Sequence, residues 1–276
     1  MAEVTAAPAH SESAARSPEH GSFIWYELMT TDPKGAKAFY DKVVGWNIDA
    51  DAMPGPIEYR AIKRSDGGMA GGVLKITEDM QRNGARPIWL GYVCVDDVDA
   101  SVASVERAGG KVRMPASDIP DVGRIAMVTD PQGVPLYVMK PLPPANKPGA
   151  KSDVFSPSAE QRVAWNELTT SDQKAGLDFY TSQFGWRAGD KMPMGDLGDY
   201  QFIDKDGVML GAIMTAAPGN PARWRFYFRV PNTDEAAARV KSARGIVNHG
   251  PIEVPGGDRI LIGTDPQGAE FALVGK

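Results

Sequence analysis

Cysteine and histidine are nearly missing from this chain: one Cys, at position 94, and three His, at 10, 20 and 249, in 276 residues. A lone thiol excludes an internal disulfide and fits a reducing cytoplasm, which is the expected location. Cys94 has no nearby His or basic cluster in sequence to activate it, so it reads as a buried packing residue. With His10 and His20 ahead of the first patterned segment, no folded part holds the two histidines that a non-haem iron site needs. No apolar run approaches the roughly 20 residues that span a bilayer, so no membrane partner is expected. Basic residues show no excess: 30 stand against 35 acidic ones, net −5, and they are scattered. That pattern excludes a nucleic-acid-binding stripe. Large apolar side chains are almost absent from residues 1–21, which also lack the basic start and apolar core of a secretory signal. They read as a disordered tail.

What the chain does have is a repeat. "WYELMTTDPKGAKAFYDKVVGW", Trp25 to Trp46, returns 140 positions later as "WNELTTSDQKAGLDFYTSQFGW", Trp165 to Trp186, and Gly71 matches Gly211 at the same offset. Further on the offset is 135: Trp89, Tyr92, Arg124 and "TDPQG" recur as Trp224, Tyr227, Arg259 and a second "TDPQG" from Thr264. A repeat this long is a duplicated domain. The Pro-, Ser- and Lys-rich stretch between the copies reads as a linker, 143–160, between domains at 22–142 and 161–276. An apolar fraction of 42 % suffices to fill two cores.

Within each copy the pattern gives a strand, a helix and further strands, and then the same order again. Alternation around Trp25 predicts a strand. Thr31 or Asp32 caps a following helix, Pro33 suits its first turn, and Ala36, Phe39, Tyr40 and Val43 form its buried stripe. Gly45 ends it in the left-handed conformation, and Trp46 opens the next strand. "WLGYVCV" reads as a strand. "DDVDASVASVERAGG" reads as an Asp-capped helix stopped by Gly109 and Gly110. The last two strands meet at the Asp-Pro-Gln-Gly turn. Arg124 and Arg259 are placed to anchor the Asp of their own turns. Gly67-Gly68 and Gly71-Gly72 have no helix pattern after them, which argues against a phosphate-cradling loop.

This β-α-β-β-β order used twice per domain, with "FY…GW" after the first strand and "DPxG" before the last, resembles the vicinal oxygen chelate superfamily. That is the glyoxalase/bleomycin-resistance/dioxygenase type, in a tandem two-domain arrangement known from bacteria. The resemblance implies an α+β fold in which two βαβββ modules curl one mixed sheet into a ligand-holding cup, once per domain. In metal-using members it implies ligands on the first, fifth and last strands. Those positions here fall on Trp25, Leu90 and Tyr137, and on Trp165, Arg225 and Ala272, which form no metal-ligand set. No metal and no cofactor are expected.

Residues two apart on a strand share a face. Trp25, Glu27 and Met29 therefore lie together, as do Leu90, Tyr92 and Cys94, and Tyr137 with Met139. Leu28, Leu136 and Val138 face the helices. The first cup is then aromatic and sulfur-rich around Glu27. The second presents Trp165, Glu167 and Thr169, then Arg225, Tyr227 and Arg229, then Glu270 and Ala272. Trp25, Tyr92, Tyr137, Trp165, Arg225, Tyr227, Arg229 and Glu270 are the candidate ligand-binding residues, and Glu27 and Glu167 the candidate catalytic ones. Either glutamate has two readings: a structural acceptor for Arg or backbone, or a general base whose pKa an apolar cup raises. Anionic ligands are expected to prefer the second cup, unless Glu167 and Glu270 neutralise its arginines.

Three functions stay open. The leading one is a metal-independent, small-molecule-binding protein. The second is a glyoxalase-like lyase or isomerase with a cup glutamate as base. The third is an assembly protein with vestigial cups.

Overall fold

The computed structural model describes residues 16–143 and 147–276. The first domain runs β1 (Phe23–Thr30), α1 (Pro33–Val43), β2 (Asn47–Ile48), β3 (Tyr59–Lys63), β4 (Met69–Lys75), α2 (Glu78–Arg82), β5 (Ile88–Cys94), α3 (Val98–Arg107), β6 (Lys111–Ile119), β7 (Gly123–Thr129) and β8 (Pro135–Pro141). The second runs β9 (Val163–Thr170), α4 (Gln173–Phe184), β10 (Arg187–Pro193), β11 (Asp199–Lys205), β12 (Val208–Thr215), β13 (Arg223–Arg229), α5 (Thr233–Ser242), β14 (Ile246–Glu253), β15 (Arg259–Thr264) and β16 (Glu270–Gly275). The drop in repeat offset from 140 to 135 is accounted for by α2, five residues with no counterpart in the second domain.

Each domain forms one eight-stranded mixed sheet, β2-β3-β4-β1-β5-β8-β7-β6 and β10-β11-β12-β9-β13-β16-β15-β14. In both, the first strand of a module lies parallel to its last, and the two modules join through antiparallel first strands, β1 with β5 and β9 with β13. The repeated glycine follows from the parallel pairing. A Cβ at Gly71 would stand 2.1 Å from the Tyr26 carbonyl oxygen, and one at Gly211 would stand 1.7 Å from that of Asn166. No other residue fits there.

The helices form as their spacing requires. Asp32 accepts from the Gly35 N–H to cap α1, whose buried face is Pro33, Ala36, Phe39, Tyr40 and Val43. Gly45 leaves it at φ +87°. These faces meet the backs of both sheets in one core spanning the two domains, where Tyr26, Leu28, Phe39, Tyr40 and Trp89 join Tyr180, Trp186, Phe226, Phe228 and Phe271. The cup faces make separate, smaller clusters, one around Leu90, Tyr92, Cys94, Tyr137 and Met139, the other around Ala164, Tyr227 and Ala272.

Polar groups in the shared core pair reciprocally across a pseudo-two-fold axis. The Tyr40 hydroxyl donates to Asp265 of the second "DPQG" turn at 3.0 Å, and Tyr180 donates to Asp130 of the first at 3.1 Å. Each tyrosine oxygen accepts an indole N–H, from Trp89 at 2.9 Å and from Trp224 at 3.0 Å. The Trp46 indole donates to the Gln161 carbonyl and the Trp186 indole to that of Gly21, so each "GW" clasps the entry to the other domain. On the axis Tyr26 donates to Asn166, its own counterpart in the repeat, at 2.8 Å.

The two turn aspartates take backbone N–H bonds within their own loops, and burial holds both carboxyls above the usual range. Arg124 and Arg259 are not their anchors, contrary to expectation. Arg124 pairs with Asp99 and Asp118, and Arg259 with Asp234. Asp99 and Asp234 open α3 and α5, so each arginine ties a strand to the first turn of its helix.

Two segments expected to be loose are docked. Residues 1–15 of the tail lie outside the described residues, but Arg16 donates to the Ser182 carbonyl, the Ser17 N–H to Asp96, and the Gly21 N–H to the Cys94 carbonyl. In the linker, Asp153 bridges Arg64 and Arg162, and Val154 is buried. Apolar content alone does not show these contacts, because backbone groups and single charges make them.

Candidate functional site

Parity places the first cup as expected. Trp25, Glu27 and Met29 share one face of β1, and Tyr92 and Tyr137 reach it from β5 and β8, paired in register and stacked with centroids 4.2 Å apart. Glu27 is 1 % exposed. Its Oε2 accepts from Tyr92 at 2.8 Å, while its Oε1 is buried with no hydrogen-bond partner. Burial raises the Glu27 carboxyl to about 7, against the opposing hydroxyls of Tyr92 and Tyr137. No basic side chain pairs with it among the described residues.

The second cup has the same skeleton and another charge arrangement. Glu167 accepts from Tyr227 at 3.1 Å and Tyr200 at 2.7 Å on Oε2, and from the Arg225 guanidinium on Oε1. Arg225 also donates from Nε to Glu270 at 2.9 Å, and Arg223 stands 3.2 Å from the other Glu270 oxygen. Burial opposes the Arg225 charge, but Glu167 and Glu270 more than offset it, and its pKa is raised. Arg229 lies apart from this cluster, paired with Asp258 at 2.7 Å. The arginines of the cup centre are therefore neutralised by its carboxylates. That is the condition under which the expected anion preference disappears.

One position decides the difference. Leu90 faces Glu27 across β1 and β5, and Arg225 faces Glu167 across β9 and β13. The second glutamate is a satisfied ion pair and the first an unsatisfied acid.

Two residues escaped the sequence reading. The Tyr59 hydroxyl accepts from the Trp25 indole at 2.7 Å, and Tyr200 does the same for Trp165 at 2.8 Å before donating to Glu167. Tyr59 lies over Gly72, where a Cβ would come within 1.9 Å of its hydroxyl. Their signal was an acidic residue followed by Tyr, "EYR" and "DYQ", offset by 141 rather than 140 because the preceding loops differ in length. Trp25 and Trp165 are half-buried and form the outer walls of the cups. Cys94 is buried, with its thiol pushed up to about 11 by burial first of all. A cavity of about 600 Å³ lies beside α2, lined by Thr31, Glu78, Gln81, Arg82, Ala85, Arg86 and Pro87. It includes none of the residues around Glu27, so it is not this site.

The model of the "Glyoxalase/Bleomycin resistance protein/Dioxygenase superfamily" matches residues 22–138 and 162–273. A relative called "Putative glyoxylase CFP32" from Mycobacterium bovis is 32 % identical over 255 residues, covering 92 % of this chain and 94 % of its own. "Anthracycline biosynthesis protein DnrV" from Streptomyces peucetius is 27 % identical over 270 residues, covering 92 % and 93 %. Among solved structures, an extradiol ring-cleaving dioxygenase from B. fuscum superposes with a TM-score of 0.65 at 16 % identity, covering 96 % of this chain and 74 % of that one. The Mn(II)-bound glyoxalase from Novosphingobium aromaticivorans gives 0.62 at 19 %, covering 93 % and 82 %.

A metal of that kind does not fit the donors here. The first cup offers one carboxylate among phenols. The second offers two carboxylates that already share a guanidinium. Among the described residues no three His, Cys, Asp or Glu side chains converge, and no helix is long and apolar enough to cross a membrane.

Proposed function

The chain belongs to the glyoxalase/bleomycin resistance/dioxygenase superfamily, and from that premise we propose that it is a metal-independent small-molecule-binding protein whose working site is the first cup. The observation that carries this reading is the Oε1 of Glu27, buried among aromatic rings with no hydrogen-bond partner among the described residues. A buried acceptor without a donor costs free energy that a ligand's donor recovers, so the site is built for a bond it does not itself make. The aromatic and Met-rich walls suit the apolar body of such a ligand, as pockets usually combine an apolar lining with a few placed polar groups. The relative named for anthracycline biosynthesis agrees with a ring-bearing ligand. Metal independence rests on the donor chemistry of the two cups.

A second reading is favoured by one specific observation, the Glu27 carboxyl lying at about 7. An acid poised there is a competent general base near neutrality. In a glyoxalase-like isomerisation its carboxylate takes the proton from a hydroxyl-bearing carbon beside a carbonyl, and the C–H pair forms the enediolate double bond as the carbonyl pair moves onto oxygen. The acid then returns the proton to the former carbonyl carbon while the hydroxyl proton passes to that oxygen, which leaves the new carbonyl on the first carbon. Native mass spectrometry of protein purified without added metal identifies a copurified ligand. Glu27→Gln then separates the readings. Loss of affinity alone supports binding, and loss of turnover with binding retained supports the isomerase. A ligand whose affinity and turnover are both unchanged in Glu27→Gln, or that perturbs NMR signals only in the second cup, overturns both.

A further inference from the structure

We propose that the first cup takes a small organic cation, an amine or guanidine on an apolar or ring body, whose charge pairs with the free oxygen of Glu27. This rests on the reading of the first cup as the working site, and it names the ligand class. The argument is an internal comparison, since the chain carries the same site twice and one copy is already filled. In the second cup the oxygen of Glu167 that corresponds to the free one of Glu27 is occupied by the guanidinium of Arg225.

Register gives the first-cup counterparts of the whole charged set. Arg225 corresponds to Leu90, Arg223 to Ile88, and Glu270 to Pro135. Three of four charges are replaced by apolar residues, and the glutamate alone remains. The second cup sums to zero, two arginines against two glutamates. The first carries a single acid with no basic partner among the described residues, so a univalent cation restores the balance. Buried carboxylates are stable when a cation with hydrogen-bond donors meets them, which is what Arg225 supplies next door.

Space follows the same logic. Beside the glutamate the first cup has Gly72 where the second has Ala212, and Ala61 where it has Phe202. The Phe ring and the guanidinium of the second cup are absent from the first, while the Tyr59 ring lies in the place of the methyl and Tyr137 stands where the second cup has Ala272. Trp25, Tyr59, Tyr92 and Tyr137 are the aromatic residues of this cup, and aromatic rings attract ammonium and guanidinium groups. Tyr59, which lies over Gly72 and accepts from Trp25, covers the carboxylate, so entry requires this pair to swing outward. The groups facing Glu27 from β3, β5 and β8 are the phenols of Tyr59, Tyr92 and Tyr137, whose pKa values are all raised. They stay neutral, and Glu27 is the one that changes charge.

The test is calorimetry on the full chain with benzylamine and phenylguanidine against benzyl alcohol, at pH 6 and pH 8. The cations are expected to bind at least about tenfold tighter than the alcohol, the discrimination typical of a bond to a charged group. At pH 6, titrations in two buffers of different ionisation enthalpy are expected to show proton release as Glu27 ionises. Glu27→Gln removes both the preference and the release. Leu90→Arg, which supplies the cation internally, abolishes cation binding. Equal or tighter binding of the alcohol, still dependent on Glu27, overturns the cation assignment and leaves the first-cup reading standing. Cation binding that survives Glu27→Gln overturns both, and so does failure of all three probes to bind.

Discussion

Replacing Glu27 by Gln should stabilise this protein at alkaline pH, against the usual trend for a buried residue. The Glu27 carboxyl is raised from 4.5 to about 7, chiefly by burial. A carboxyl with a raised folded pKa holds its proton in the native state after the unfolded chain has released it. Stability from this group is therefore complete below about 4.5, falls as pH rises, and is lost once pH has passed through about 7. A displacement from 4.5 to about 7 corresponds to on the order of 3 kcal/mol. The glutamine side chain keeps the shape and cannot ionise, so the difference in unfolding free energy between Glu27→Gln and the parent should climb by about 3 kcal/mol between pH 4.5 and pH 8. Urea unfolding followed by tryptophan fluorescence at four or five pH values measures it, and groups common to both proteins cancel in the difference. A difference that stays flat with pH, or falls, would refute the claim that Glu27 is a desolvated acid without a cation.

The second cup should behave oppositely. Arg225→Ala strands Glu167 without a cation and leaves Glu270 with Arg223 alone, and should cost about 3–5 kcal/mol in urea unfolding, whereas a loss under about 1 kcal/mol would show that solvent reaches the cluster. Tyr40→Phe and Tyr180→Phe should each cost about 1–3 kcal/mol by leaving a buried aspartate and an indole N–H short of a partner. Their losses should match within experimental error, and unequal ones would contradict the reciprocal arrangement. Deleting residues 1–20 removes the bonds made by Arg16, Ser17 and His20 and should lower the melting temperature by several degrees, at roughly 2–4 °C per kcal/mol for chains of this size. An unchanged melting temperature would mean those bonds contribute nothing.

Which side chains face the cups was legible in the sequence, because strand parity is a local rule. Leu28, Leu136 and Val138 point to the shared core, and Glu27, Tyr92 and Tyr137 to the cup, as alternation requires. Who bonds whom across the domains was not legible. Asp265 takes its hydroxyl from Tyr40, 225 positions away, while Arg259 is close in sequence and bonds elsewhere. Nearness along the chain suggested the wrong partner for both turn aspartates. The state of the two glutamates was half-legible. Leu90 and Arg225 were visible as a difference, but that Arg225 is spent on two carboxylates at once emerges only when β9, β13 and β16 lie side by side.

The contact between Tyr26 and Asn166 has a consequence for how such a molecule can be inherited. Two separate copies of one half-length chain, meeting around the same axis, would set Tyr against Tyr or Asn against Asn. A donor facing a matching acceptor needs two different residues at equivalent places, which a fused chain supplies and a homodimer does not. Covalent fusion thus frees each half from having to be its own mirror. One half is then free to hold a closed, self-neutralised salt cluster in its cup. The other carries the destabilising, half-ionised acid that two identical subunits would have to carry twice.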